Sequence, residues 1–185
     1  VIPVQHQFIV TEPHPAIQAR HEQGLPEMGV LRESDGSWYM REEAGGLLLG
    51  PYEVGAPACY VDGPSSDSEY ELFQEDIERL EPHIESAINR VPIFGEVGVK
   101  EVYNGAIAYT PDGNPIVGPA WGVKNFWLNE GHSFGITAAG GAGWQLAEWI
   151  IEGVPTVDMM GVDPRRYGDY ASKAYLQAKN EEAYS

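Results

Sequence analysis

The stretch Asn129-Glu130-Gly131-His132-Ser133-Phe134-Gly135-Ile136-Thr137-Ala138-Ala139-Gly140-Gly141 decides how the rest of the chain is read. It follows the short apolar run Asn125-Phe126-Trp127-Leu128. It leads into apolar or small residues at Ile136, Ala139, Gly143, Leu146 and Ile150, a helical spacing with one apolar stripe. A strand, a glycine turn and a Gly/Ala-rich helix start let a ligand approach the backbone closely. Unpaired N–H groups at the positive end of that helix favour an anion or an electron-rich ring system. No G-x-G-x-x-G follows a strand near the N-terminus, so the pattern reads as the second half of a nucleotide-binding protein.

Upstream, Val4 to Thr11 sets Val4, His6, Phe8 and Val10 against Gln5, Gln7, Ile9 and Thr11 and reads as a strand that Pro13 and Pro15 end. Ser37 to Glu42 and Gly46 to Glu53 read as a hairpin closed by Ala44-Gly45-Gly46. After an irregular Gly/Pro/Ser-rich stretch, Val54 to Ser68, Ser66 or Asp67 caps a helix bearing Tyr70, Phe73, Ile77 and Leu80. Pro82 suits the first turn of a second helix bearing Ile84, Ala87, Ile88 and Val91. Val97 to Tyr109 is a strand interrupted at Asn104-Gly105, and Pro111-Asp112-Gly113-Asn114-Pro115 is a strong turn before a short return strand, Ile116-Val117-Gly118. Phe126 to Asn129 is a strand and Gly135 to Ile151 a helix. Asp163-Pro164 starts a final helix whose tail, Glu181 to Ser185, is expected to fray. The expected fold is therefore α+β.

Composition narrows the function classes. A chain of 185 residues that is 43% apolar can bury a real core, and its 22 Gly and 14 Pro fit a turn-rich α+β protein. The formal charge of −17 argues against nucleic acid or an anionic membrane surface as a partner, and means that a carboxylate ligand needs local positive charge. Cys59 stands alone, so no intrachain disulfide or cysteine-rich metal site is expected, which suits a reducing compartment. No apolar run approaches the ~20 residues of a membrane span. No basic and apolar leader is visible, and Val1-Ile2-Pro3-Val4 opens directly on strand-like sequence, as a piece of a longer chain would.

His6, His14, His21, His83 and His132 show no metal-binding spacing, and no metal is expected. His132 differs from the others by lying in the glycine-bounded turn. Without a G-x-S-x-G elbow, a hydrolase triad lacks a nucleophile. Glu42 and Glu43 read as solvated carboxylates at a hairpin turn. Tyr39 and Arg41 are two apart and share a face, either as a surface aromatic–cation pair or as a substrate pocket wall, with Tyr52 on the partner strand.

Several segments, in order, resemble one superfamily of flavoproteins. They are Val4-Gln5-His6-Gln7-Phe8-Ile9-Val10-Thr11, Leu47 to Glu53, His83 to Pro92, Tyr109 to Gly118, Gly131 to Gly141, and Asp163-Pro164-Arg165-Arg166-Tyr167. The chain is similar over nearly its whole length to the glycine-oxidase/sarcosine-dehydrogenase superfamily, most of all to its dimethylglycine and sarcosine dehydrogenases. The resemblance implies a substrate-binding layer over residues 1–124, a mostly antiparallel mixed sheet with flanking helices. It implies the closing strand and helix of the FAD domain over 125–153, and the start of a central linker region over 154–185.

What the resemblance further implies is oxidative demethylation of an N-methyl amine, with a hydride equivalent passing to FAD and the imine hydrolysing to formaldehyde or passing to tetrahydrofolate. The turn Gly131, His132, Ser133, Phe134, Gly135, Ile136 and Thr137 would lie by the pyrimidine edge of the flavin and stabilise charge at N1/C2=O. His132 and Tyr109 are the candidate catalytic bases, and Phe8, Tyr39, Arg41 and Tyr52 the candidate substrate residues. Phe8 stands where the family typically has tyrosine, and Thr137 where simple sarcosine oxidases have a carboxylate-pairing lysine, so the resemblance implies either another cation for the carboxylate, with Arg41 the candidate, or a substrate that is not a simple amino acid. The FAD pyrophosphate site and the folate-binding module are absent from the chain. A small N-methyl amine and the missing N-terminal half are thus the expected partners, in the cytoplasm or, in a eukaryote, the mitochondrial matrix. A non-catalytic regulatory or scaffold relative of the same fold is the alternative, and a heteromer completed by a separate polypeptide is a third reading.

Overall fold

Val4–Thr11 forms β1, the strand its alternation predicts, with Gln7, Ile9 and Thr11 buried on one face and Val4 and Val10 buried on the other. A computed structural model describes residues 1–69 and 71–184. They divide into two units, one of residues 5–56 and 66–106, the other of residues 1–4, 57–65 and 107–184.

The first unit is a five-stranded sheet in the order β2-β3-β4-β1-β5, with β2 Leu31–Glu33, β3 Trp38–Glu43, β4 Gly46–Pro51 and β5 Val99–Ile107. The β3–β4 hairpin is antiparallel and turns at Ala44 and Gly45, both with positive φ (49° and 80°), the geometry whose twist matches the flanking strands. Ile9 pairs with Leu49 and Leu49 with Met40, so Ile9, Leu49 and Met40 line up on one face. That face, with Trp38 and Leu47, buries Leu80 and Ala87 of the helix α2, Ile77–Arg90, and Ile17 of α1, Pro15–Glu22. Trp38 Nε1 donates to Ser86 Oγ at 3.0 Å, so its polar atom stays satisfied inside the core.

Asp76 caps α2 by accepting from Arg79 N at 3.2 Å. Gln7, fully buried, holds that cap: its Oε1 accepts from Asp76 N at 2.7 Å and its Nε2 donates to Asp76 O at 3.1 Å. The same Nε2 and the Gln7 backbone N both reach Glu53 Oε1, at 3.1 and 3.0 Å. These bonds settle two differences from the sequence reading. There is one helix, not two, because the start is fixed at Asp76 and not at Ser66 or Asp67, and Pro82 falls inside it. Phe73 and Ile77 do not share a helix, since Phe73 lies before it and its N donates to Asn104 O, and Tyr70 lies outside the described residues. β5 runs through Asn104-Gly105 without interruption, because the buried Asn104 amide donates to Gln74 O at 2.7 Å and Gln5 Oε1 at 3.2 Å.

The second unit contains the antiparallel pair β6, Ile116–Pro119, and β7, Trp127–Glu130. The short return strand therefore pairs forward with β7, Ile116 opposite Glu130 and Gly118 opposite Leu128. The long helix α3, Gly135–Glu152, buries Trp149, which meets Trp127 edge-on at 5.9 Å. The stripe expected to be its packing face is largely open: Ile136 is 100% exposed and Ile150 is exposed too. Asp163 caps only a 3-10 turn, Pro164–Arg166, and the final helix α4 begins at Lys173 and runs to Tyr184. Its last turns do not fray, since Asn180 and Tyr184 are buried and Asn180 Nδ2 donates to Ile2 O and Tyr109 O. Ser185 is outside the described residues.

The turn at 111–115 is held from a distance. Arg166 Nε donates to Asp112 Oδ2 at 2.7 Å, and its Nη2 to Asp112 Oδ1 and Asn114 O, both at 3.0 Å. Burial of Asp112 opposes ionisation, but the Arg166 fork and the Asn114 N–H more than offset it and hold the carboxyl down at about 2. The architecture is α+β with antiparallel sheets and flanking helices, and no helix among the described residues is long and apolar enough to cross a membrane.

Two predictions follow from these networks. Gln7→Ala removes both side-chain bonds to the Asp76 backbone and one of the bonds to Glu53 Oε1, and should cost about 2 kcal/mol in urea unfolding of the chain. Because the folded Asp112 carboxyl titrates below its unfolded value, the clasp stabilises fully above about pH 4 and is lost as pH falls through about 2. For this part-exposed pair the loss should be about 1 kcal/mol, and Asp112→Asn should remove that portion of the acid dependence in pH-resolved unfolding.

Candidate functional site

In the sheet unit, the face opposite α2 carries the candidate substrate residues. β3 alternates Trp38, Met40 and Glu42 inward with Tyr39, Arg41 and Glu43 outward, so Tyr39 and Arg41 share a face as expected. Phe8 of β1 and Tyr52, just past β4, join that layer: Tyr39 and Tyr52 meet edge-on at 6.2 Å, and Phe8 stacks on Tyr103 of β5 at 4.8 Å. Gly50 makes room for Tyr39, because a Cβ built there would sit 2.1 Å from the phenol ring. The phenol therefore fills the space that a side chain at residue 50 would take.

His6 enters the same layer, which its position as a lone histidine in the sequence did not show. Its ring centroid is 6.0 Å from that of Tyr52 and 6.5 Å from that of Tyr39. Its Nδ1 faces the fully buried Glu53 carboxylate, with Oε2 at 3.7 Å, and its Nε2 lies 3.3 Å from the Tyr39 hydroxyl. With Nδ1–H turned toward Glu53, Nε2 is the acceptor and the Tyr39 O–H donates to it. Burial raises the Tyr39 hydroxyl above its ordinary pKa, Tyr52 adds to the rise, and Arg41 opposes it. A carboxylate, an imidazole and a phenol in sequence can pass a proton from the open face toward a buried anion. A sequence signal for this existed only in hindsight: His6 and Tyr39 occupy the same side of two strands of one sheet.

Arg41 is engaged. Its Nη2 pairs with Glu43 Oε2 at 2.6 Å and its Nη1 donates to Glu42 O at 3.0 Å. Glu42 corrects the sequence reading: it is buried on the core side, accepting from Met28 N at 3.0 Å and facing His21 Nε2 at 2.7 Å. The Met28 N–H lowers its pKa first, against the opposing effect of burial, and His21 lowers it further. A cavity of about 310 Å³ opens beside Arg41 and Phe8 on this face.

In the other unit, the turn before α3 has the geometry the sequence implies. Gly131 has φ of 70°, and a Cβ there would lie 2.8 Å from Thr110 Cγ2, so glycine is required twice over. No side chain caps α3, its first turn has no acidic residue, and the first helical bond runs from Ala138 N to Phe134 O. The N–H groups of Gly135, Ile136 and Thr137 thus precede the intrahelical ladder beside an open Ile136. An uncapped positive helix end bordered by small residues fits the electron-rich edge of a flavin. His132 Nε2 lies 2.7 Å from Asn129 Oδ1, and its buried Nδ1 has no hydrogen-bond partner in the structure. Tyr109 meets Tyr184 edge-on at 5.4 Å and its carbonyl accepts from Asn180. No group of metal-ligating side chains occurs among the described residues.

Residues 1–149 match the family model described as FAD dependent oxidoreductase, and residues 152–185 the model described as FAD dependent oxidoreductase central domain. Over all of the chain and 22% of its own length, a mitochondrial dimethylglycine dehydrogenase from Rattus norvegicus is 40% identical. A mitochondrial sarcosine dehydrogenase from Homo sapiens is 33% identical over all of the chain and 19% of its own length. The chain thus spans about a fifth of these curated relatives. The crystal structure of L-proline dehydrogenase from P. horikoshii superposes with a TM-score of 0.62 at 22% identity, covering 89% of the chain and 40% of that structure, a likeness of fold.

The contact of Tyr39 with Gly50 can be tested on its own. Gly50→Ala should destabilise the chain by about 1–3 kcal/mol in urea unfolding, because the ring must leave its place. Adding Tyr39→Ala should restore part of the loss, a coupling that a double-mutant cycle reads directly.

Proposed function

The chain belongs to the FAD-dependent oxidoreductase family, and on that premise we propose that it is part of a flavoprotein that demethylates an N-methyl amino acid of the dimethylglycine or sarcosine type. The observation that carries this is the open sheet face, where Phe8, Tyr39, Tyr52 and Arg41 stand together with His6. FAD, when bound, supplies the two-electron acceptor for the hydride equivalent of a substrate methyl C–H bond.

The remaining work falls to side chains of this chain. An amine releases a hydride from its methyl group readily only once its nitrogen is unprotonated, so a proton must first leave. The Tyr39 hydroxyl passes that proton to His6 Nε2, and the buried Glu53 carboxylate stabilises the imidazolium that forms. Phe8, Tyr103 and Leu48 give the methyl groups an apolar surface and keep water from the reacting carbon. After transfer, water adds to the imine carbon, and C–N cleavage yields formaldehyde and the demethylated amine. Where a tetrahydrofolate module is present elsewhere in the protein, the one-carbon unit passes to it instead. The turn from Gly131 to Thr137 would hold the flavin's pyrimidine edge through the N–H groups at the start of α3. The missing dinucleotide-binding half of the flavoprotein is the expected partner, in the mitochondrial matrix if the source is eukaryotic.

Anaerobic mixing of the flavoprotein, produced from its complete reading frame, with dimethylglycine, sarcosine and other N-methyl amines tests the reading. Bleaching of the flavin is expected with at least one of them, and no bleaching with any would favour the scaffold alternative. His6→Ala should lower the limiting reduction rate by about 10²-fold and shift its pH dependence upward, because solvent must then take the proton. The isolated chain should not bind FAD stoichiometrically; tight binding by the chain alone would overturn the division of the cofactor site.

A further inference from the structure

Resting on the N-methyl amino acid reading, we propose that Arg32 is a positioning residue of the open sheet face: its guanidinium clamps the Tyr52 ring against Tyr39 and so fixes the phenol that donates to His6. On β2, Leu31 and Glu33 turn to the helix side, where Leu31 packs on the core and Glu33 pairs with Arg90 of α2 at 3.5 Å. Arg32, between them, therefore turns to the open face. It stands directly opposite Tyr39 in the β2–β3 pairing, which puts both side chains on the same side of the sheet. Its Cζ lies over the Tyr52 ring, 5.3 Å from the ring centre. The arginines nearby are spent differently: Arg41 pairs with Glu43 and Arg90 with Glu33, whereas Arg32 meets an aromatic face.

The same hairpin anchors Tyr52 at its backbone, since Tyr52 N donates to Ser37 O at 2.8 Å in the turn between β2 and β3. A backbone bond leaves the rotamer of the ring open, and a cation over its face selects one. The clamped ring meets Tyr39 edge-on at 6.2 Å and stands 6.0 Å from the His6 ring. Gly50 gives the Tyr39 phenol its space, and Tyr52 limits how it moves there, so the hydroxyl stays 3.3 Å from His6 Nε2. Charge adds to placement. Around Tyr39 stand His6 from β1, Tyr52 and Glu53 past β4, Arg41 on β3 itself and Arg32 from β2. Burial raises the Tyr39 hydroxyl most, Tyr52 and Glu53 add to the rise, and Arg41 and Arg32 oppose it. Arginine suits both tasks, being a planar cation that stacks on a ring and stays charged at every working pH.

The test uses anaerobic flavin reduction in the complete flavoprotein, with dimethylglycine and its methyl ester as substrates, and fluorine NMR of the same protein labelled with fluorotyrosine. Arg32→Gln should lower the limiting rate about fivefold, leave Kd for both substrates nearly unchanged, and shift the pH dependence of the rate upward. Arg32→Lys keeps the charge but not the flat stack, so the pH dependence should stay in place while only part of the rate returns. The fluorine signals of Tyr52 and Tyr39, assigned through Tyr52→Phe and Tyr39→Phe, should both move in Arg32→Gln. Tyr52→Leu removes the clamped ring, and adding Arg32→Gln to it should cost no further rate at the plateau of the pH profile. The exposed control Lys124→Met should change none of these. A weaker Kd for dimethylglycine alone, with the ester unaffected, overturns the proposal by making Arg32 a ligand of the substrate carboxylate. Full additivity of Arg32→Gln and Tyr52→Leu, or unmoved fluorine signals in Arg32→Gln, overturns it too. If no N-methyl amine reduces the wild-type flavin, the functional reading fails, and the fluorine signals by themselves still decide whether Arg32 holds Tyr52.

Discussion

The buried amide of Gln7 joins three parts of the sheet unit that are far apart in sequence: β1, the Glu53 carboxylate past β4, and the Asp76 cap of α2. A primary amide in a dry core has to satisfy both its acceptor and its donors, so its partners cannot shift independently. The result is that α2 covers one face of the sheet and its start is set to the residue. Everything described on the other face follows from that choice. The same Glu53 that takes Gln7 on the core side faces His6, so the fixed carboxylate orients an imidazole on the open side. One buried carboxylate thus links the packing of the helix to the chemistry of the layer.

Local signals in the sequence were read well where one short segment contains its own cause. The alternation of Val4 to Thr11, the positive-φ pair at Ala44-Gly45, the turn at 111–115 and the strand–turn–helix around Gly131 all appear where the residues place them. What failed depended on partners distant in sequence. Pro82 looked like a helix start, but the cap that counts is Asp76, fixed by Gln7 sixty-nine positions away. The helix α1 carries no ordinary start signal because its cap is His14, whose Nδ1 accepts from Ala16 N, an unusual choice for that role. The final helix was placed too early, since Asp163 caps a single turn and Arg166 then goes to Asp112.

The candidate site divides in the same manner. Tyr39 and Arg41 were legible as a pair because β-strand periodicity alone puts them on one face, and Phe8 and Tyr52 came from the family resemblance. His6 was not legible, because its meaning lies in a contact with a residue of another strand and with a buried acid. Glu42 and Glu43 look alike in sequence, yet one faces the core and the other the open side of the sheet, a difference of one residue in a period of two.

The clasp of Asn180 on Ile2 and Tyr109 has a consequence for how the chain is made. The unit that contains it draws on residues 1–4, 57–65 and 107–184, whereas the sheet unit lies wholly within residues 5–106. The sheet unit needs nothing beyond residue 106, whereas residues 1–4 find their partners only once residues 107–184 have been made. Closing a loop of that length costs little more entropy than closing a shorter one, but it cannot begin until Asn180 has emerged. The interleaving of the two units along the sequence thus sets an order: residues 5–106 can fold first, and segment 1–4 joins its own unit only when residues 107–184 are in place.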